Sequence, residues 1–107
     1  MGDPSSFISK SFQTFMTDAS QHAQVWNTMV QGLAKASALD RKTSALAYLA
    51  VLAALRLETG IPFHVQIAKQ AGASREEVIS AILVALPAAG HIVTQVLPTA
   101  LAAYDAK

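Results

Sequence analysis

Near the middle of the chain, Arg56, Glu58 and His64 carry the side chains best suited to moving protons at neutral pH. Imidazole is the usual general acid or base in this range, and an acidic partner within reach can orient it. Glu58 is the candidate partner and Arg56 a candidate assistant; the plain alternative for both is a solvated helix end. Pro62 starts a helix whose first turn contains His64, because proline suits a turn with unpaired N–H groups. Gly60 and Ile61 lie behind the histidine, and Ile67 and Ala68 lie ahead on its face. Burial and a helix N-terminus both disfavour imidazolium, so a neutral ring with one nitrogen free to accept a proton is expected. That state suits a general base, and it equally suits a structural histidine bonded to a carbonyl.

Other chemistry finds little support in the residue types. His91, beside Gly90, is a second histidine in apolar surroundings and a candidate for the same pocket, whereas His22 among Ser20, Gln21 and Gln24 reads as surface. The i, i+4 spacing of helical metal ligands is absent, so neither a metal nor another cofactor is expected. The chain has 0 cysteines, which removes disulfides, thiolate ligands and redox thiols together. No nucleophile elbow for Ser/His/Asp catalysis is present.

Those groups must be held by a small and unusually apolar domain. The 107 residues suffice for one domain, with 52% hydrophobic and 14% charged residues; soluble domains average about 45–50% and about 25%. A small monomer buries the least of its surface, so the surplus implies a homo-oligomer. Residues 78–104 carry no Asp, Glu, Lys or Arg. Pro87, Gly90, His91, Thr94, Gln95, Pro98 and Thr99 interrupt them, and flanking anchors are missing, which argues against a membrane span. The first residues show neither the basic region nor the apolar stretch of a signal peptide, so a cytoplasmic location is expected. A net charge of +1 gives no basic stripe for nucleic acid.

The pattern is all-α. Apolar residues recur at helical spacing over about 5–18 (Phe7, Ile8, Phe12, Phe15, Met16) and 20–35 (Val25, Trp26, Met29, Val30, Leu33), and core packing is the expectation for both stripes. Residues 40–58 predict the most buried helix, capped by Asp40, uncharged from Thr43 to Leu55 and stopped by Gly60. The helix of Pro62 ends at Gly72, and Ser74 with Glu77 forms a capping box for a helix reaching Leu86. Pro87 and Gly90 mark a break before a last apolar face through Tyr104, which Pro98 should bend.

Measured from His64, the run His-x-x-x-Ala-x-x-Ala-Gly-Ala comprises Ala68, Ala71, Gly72 and Ala73, followed by Ser74-Arg75-Glu76-Glu77-Val78 and preceded by Leu39-Asp40-Arg41-Lys42-Thr43. This resembles the carboxymuconolactone decarboxylase and alkylhydroperoxidase D superfamily over residues 30–105. The resemblance implies a single domain at 1–107 with its core at about 30–105 after an N-terminal helix, an all-α bundle, and trimers or hexamers. Redox members of that superfamily carry Cys-x-x-Cys-x-x-x-His. This chain has Leu57 and Gly60 at the cysteine positions, Thr59 at a relay histidine and Ala45 at an acidic position. The resemblance therefore implies, through its decarboxylase branch, a cofactor-free lyase or isomerase on a small carboxylated or carbonyl substrate, with His64 as base or acid. A ligand-binding or structural member without chemistry is the alternative. Antioxidant peroxidase activity is opposed by the missing thiols.

Overall fold

The computed structural model describes residues 4–107. Among these the chain is helical, without strands: a 3-10 turn at Pro4–Phe7, then α1 (Lys10–Asp18), α2 (Ser20–Ala36), α3 (Arg41–Ala54), α4 (Ile61–Gln70), α5 (Arg75–Leu83), the single turn α6 (Leu86–Ala89) and α7 (Leu97–Asp105). Further 3-10 stretches at Glu58–Gly60 and Gly90–Val96 join α3 to α4 and α6 to α7.

Helices α3, α4, α5 and α7 pack around one core with the Gly90–Val96 stretch. Leu49, Leu52 and Ala53 of α3 meet Ile61, Val65 and Ala68 of α4, Val78 and Ile82 of α5, and Ala100 and Ala103 of α7. Alanines at these contacts let the helix axes approach closely. Each larger side chain contributes about 1.5–3 kcal/mol by leaving water. The first two helices are different. No residue of α1 is buried and only Ala23 of α2 is. Phe12, Phe15 and Trp26 instead pack on one another, with centroids 5.2 Å apart for Phe12 and Trp26. Phe7, from the turn before α1, packs against the core as expected, but the rest of the two stripes forms a separate hairpin, with Val25, Met29 and Leu33 exposed. Periodicity shows that a helix has an apolar face but not which surface covers it.

Caps define the helix starts. Asp40 accepts the Thr43 N–H at 2.7 Å. Ser74 accepts the Glu77 N–H at 3.0 Å while Glu77 accepts the Ser74 N–H at 2.8 Å, the reciprocal box expected. Lys42 of α3 pairs with Glu77 at 2.8 Å across to α5.

The helix ends required correction. α3 stops at Ala54, well before Glu58 and Gly60, because Arg56 adopts a left-handed φ of 61°. The Leu57 N–H donates to the Leu52 carbonyl at 2.9 Å and the Arg56 N–H to the Ala53 carbonyl at 3.2 Å, a Schellman closure with arginine in the position glycine usually holds. Gly60 itself has helical backbone angles and no part in that stop. α4 closes in the same way, but with Gly72 at φ 97°: Ala73 N–H to Ala68 carbonyl and Gly72 N–H to Lys69 carbonyl, both 3.0 Å. Arg56 and Glu58 are therefore not on the central helix but in the connection after it. α5 likewise ends at Leu83 rather than reaching Leu86. Pro98 does not bend a helix, because the preceding stretch is 3-10 and proline falls in the first turn of α7, where its missing N–H costs nothing.

The apolar segment Arg75–Asp105 has the length and hydropathy of a membrane span. It is not one rod: Gly90 breaks it at φ 81°, and α5 packs back against α7.

Candidate functional site

Polar contacts between α4 and α7 fix the rotation of α4 and hence the direction of His64. The buried Gln66 amide donates to the Ala103 carbonyl, and Lys69 Nζ donates to the Tyr104 carbonyl at 2.6 Å, placing an ammonium at the negative end of α7. The Tyr104 hydroxyl donates to the Ala73 carbonyl at 2.8 Å. Gln66 Oε1, also buried, has no partner among the described residues. With Gln66 turned toward α7, a residue two places earlier lies about 200° away around the helix, on the side of α3.

His64 accordingly packs against α3. Its ring lies 4.4 Å from the Tyr48 ring, centroid to centroid, and 5.2 Å from the Phe63 ring in an edge-on arrangement. It is half-buried. Burial against these apolar neighbours pushes the imidazole below its ordinary pKa, so the ring is neutral at pH 7. No described residue hydrogen-bonds either ring nitrogen. The Tyr48 hydroxyl, on a side chain 46% exposed, is likewise unpaired. The two adjacent rings carry an acceptor nitrogen and a phenolic donor, both free of protein partners, which can take a proton and donate a hydrogen bond to a small molecule.

Of the candidates read from the sequence, His64 alone occupies such a setting. Glu58 is exposed at the start of its 3-10 turn and makes neither an ion pair nor a hydrogen bond with His64. Arg56 is exposed in the turn that closes α3. His91 is exposed on the Gly90–Val96 stretch, its carbonyl accepting the Thr94 hydroxyl at 2.7 Å, and has no ring contact with His64. His22 is exposed and lines an open groove with Phe15, Val25, Trp26 and Met29. Neither this groove nor a second one between α3 and α5 includes His64. No cluster of three metal-ligating side chains occurs among the described residues.

Tyr48 was missed from the sequence. Its signal was present, because it is the only side chain with a hydrogen-bonding tip between Ala45 and Leu55. A hydroxyl in an otherwise apolar stretch of helix calls for a partner or a use.

The family model for the carboxymuconolactone decarboxylase family matches residues 20–104. The chain belongs to that family. The match includes α2. No curated protein and no solved structure matches the chain.

Proposed function

We propose that this family member is a cofactor-free lyase or isomerase acting on a small carboxylated or carbonyl substrate, with His64 as the proton-transfer group. The observation that carries the reading is the pair of unpaired polar groups, the His64 imidazole and the Tyr48 hydroxyl, on rings 4.4 Å apart. In an isomerisation of a β,γ-unsaturated carbonyl compound, neutral His64 takes a proton from the α carbon, the C–H electron pair spreads into a dienolate, and imidazolium returns the proton at the γ carbon, which moves the double bond into conjugation. In a decarboxylation, the bond to the carboxylate carbon breaks, its electron pair forms the enolate as carbon dioxide leaves, and His64 passes to the enolate carbon a proton that it takes up from solvent water. Tyr48 donates a hydrogen bond to the enolate oxygen in either case. Arg56 and Glu58, on the connection leading to α4, are assisting groups for a carboxylated substrate.

The protein acts as a homo-oligomer in the cytoplasm, as a trimer or hexamer, with neither nucleic acid nor membrane as partner. The surplus of exposed apolar side chains supports self-association. Solvent-deuterium exchange tests the reaction: a panel of small keto acids and carboxylated lactones is incubated in deuterium oxide and followed by proton NMR. Exchange or carbon dioxide release by the native protein, abolished in His64→Gln and reduced in Tyr48→Phe, is expected. A native protein that binds members of the panel without exchange or release would establish the ligand-binding alternative instead.

A further inference from the structure

One face of α3 carries three polar side chains in line, and the last of them is Tyr48. Arg41, Ser44 and Tyr48 stand at i, i+3 and i+7. That spacing brings Arg41 to within about 20° of Tyr48 around the helix and about 10.5 Å from it along the axis, with Ser44 about 40° and about 6 Å away. Side chains on a helix lean toward its N-terminus, so Tyr48 covers the turn of Ser44 and aims its hydroxyl toward Arg41 rather than toward Leu55. Helix α4 runs antiparallel here, with Gly60 against Leu52 and His64 against Tyr48. The residues one and two turns beyond His64, toward the Arg41 end, are the small Ala68 and Ala71.

Arg41 is the charge of this turn without a partner. Asp40 accepts the Thr43 N–H and Lys42 pairs with Glu77. Arg41 is exposed and makes neither an ion pair nor a hydrogen bond among the described residues. Ser44 is half-buried, and its hydroxyl likewise has no partner among them. A guanidinium offers a fork of N–H donors that matches a carboxylate, and a serine hydroxyl adds a further donor beside it. On the other side of Tyr48, Val51 and Leu55 are exposed and apolar and offer a carboxylate nothing.

We infer that Arg41, assisted by Ser44, binds the carboxylate of a substrate whose carbonyl faces Tyr48 and His64, and so selects oxo acids in which the two groups stand two or three carbons apart. The spacing follows from the helix. Three residues separate Arg41 from the turn that Tyr48 covers, about 4.5 Å along the axis. Two or three carbons between a carbonyl carbon and a carboxyl carbon span about 4–5 Å. In an α-oxo acid the carboxylate adjoins the carbonyl and falls short of Arg41 while the carbonyl oxygen stays on Tyr48. The inference rests on the reading of His64 and Tyr48 as the reacting pair and adds the residue that chooses the substrate.

The test reads binding rather than turnover. 4-Oxopentanoate and its uncharged amide, 4-oxopentanamide, are titrated into the full chain at constant ionic strength, and dissociation constants are taken from the His64 nitrogen and Tyr48 ring signals. Native protein should bind the acid about threefold to tenfold more tightly than the amide, as one exposed bidentate contact allows. Arg41→Met should bring the two to equality without weakening the amide, and Ser44→Ala should reduce the preference. Lys35→Met, which removes an equal charge from α2, should leave it unchanged. Arg41→Gln supplies a second variant should circular dichroism show lost helix in the first. Pyruvate should bind equally to native protein and to Arg41→Met. Equal binding of acid and amide by native protein, a preference that survives both Arg41 variants, or one lost in Arg56→Met instead would each overturn the inference and leave the reading of His64 intact. If neither compound moves the His64 signals, the inference falls together with that reading.

Discussion

Replacing Arg56 isolates the cost of putting a side chain where glycine belongs. At φ 61° the Cβ of an L-residue crowds the following carbonyl, which costs about 1–2 kcal/mol. Glycine removes that strain but loosens the unfolded chain, which returns about 0.4–1 kcal/mol of the gain. Arginine also places positive charge beyond the C-terminus of α3, worth about 0.3–1 kcal/mol at an exposed site. Comparing native protein with Arg56→Gly would mix these effects, so the informative pair is Arg56→Gly against Arg56→Ala, both uncharged. Glycine should be the more stable by about 0.5–1 kcal/mol, a rise of roughly 2–8 °C in Tm for a domain near this size. Urea unfolding at matched protein concentration, followed by circular dichroism, measures the difference, since self-association makes the midpoint depend on concentration. Equal midpoints, or alanine above glycine, would refute a strained Schellman closure at Arg56.

Other outcomes follow from the caps, the site and the composition. Ser74→Ala removes one half of the α5 capping box and should cost about 0.5–2 kcal/mol in urea unfolding. His64 has a folded pKa below its unfolded value, so the unfolded state binds the extra proton. Its contribution is fully present above the ordinary histidine range and is lost as pH falls through that range toward the lower folded pKa. Melting temperatures between pH 8 and pH 5 should therefore fall more steeply for native protein than for His64→Gln, and parallel profiles would contradict this. Organic peroxide should not be turned over with a dithiol donor beyond a heat-killed control, because the chain holds 0 cysteines to form the thiolate.

The all-α class, the Asp40 and Ser74–Glu77 caps and the Pro62 start were legible because each depends on a few adjacent residues. The end of α3 was not. Arginine carries no preference for a left-handed backbone, so the stop at Arg56 is imposed by packing, and Gly60 was the misleading local signal. The assignment of Phe12, Trp26, Met29 and Leu33 to the core failed for a related reason. Helical periodicity reports an apolar face, while α2 turns that face away from its own bundle. His64 was legible from its apolar neighbours and its place after Pro62. Its pairing with Tyr48, sixteen positions earlier, depends on the rotation of α4, which Gln66 and Lys69 set through α7.

The central claim is that His64 is a neutral imidazole facing a small ligand, and NMR of the ring nitrogens measures it directly. Histidine labelled with nitrogen-15 is titrated with pH in the native protein, assigned by His64→Gln, with and without small carboxylates and carboxylated lactones. The account predicts that His64 titrates below the ordinary histidine range and that a ligand shifts its nitrogens together with the Tyr48 ring signals. A His64 that titrates at or above the ordinary value, or that no member of the panel moves, would contradict it.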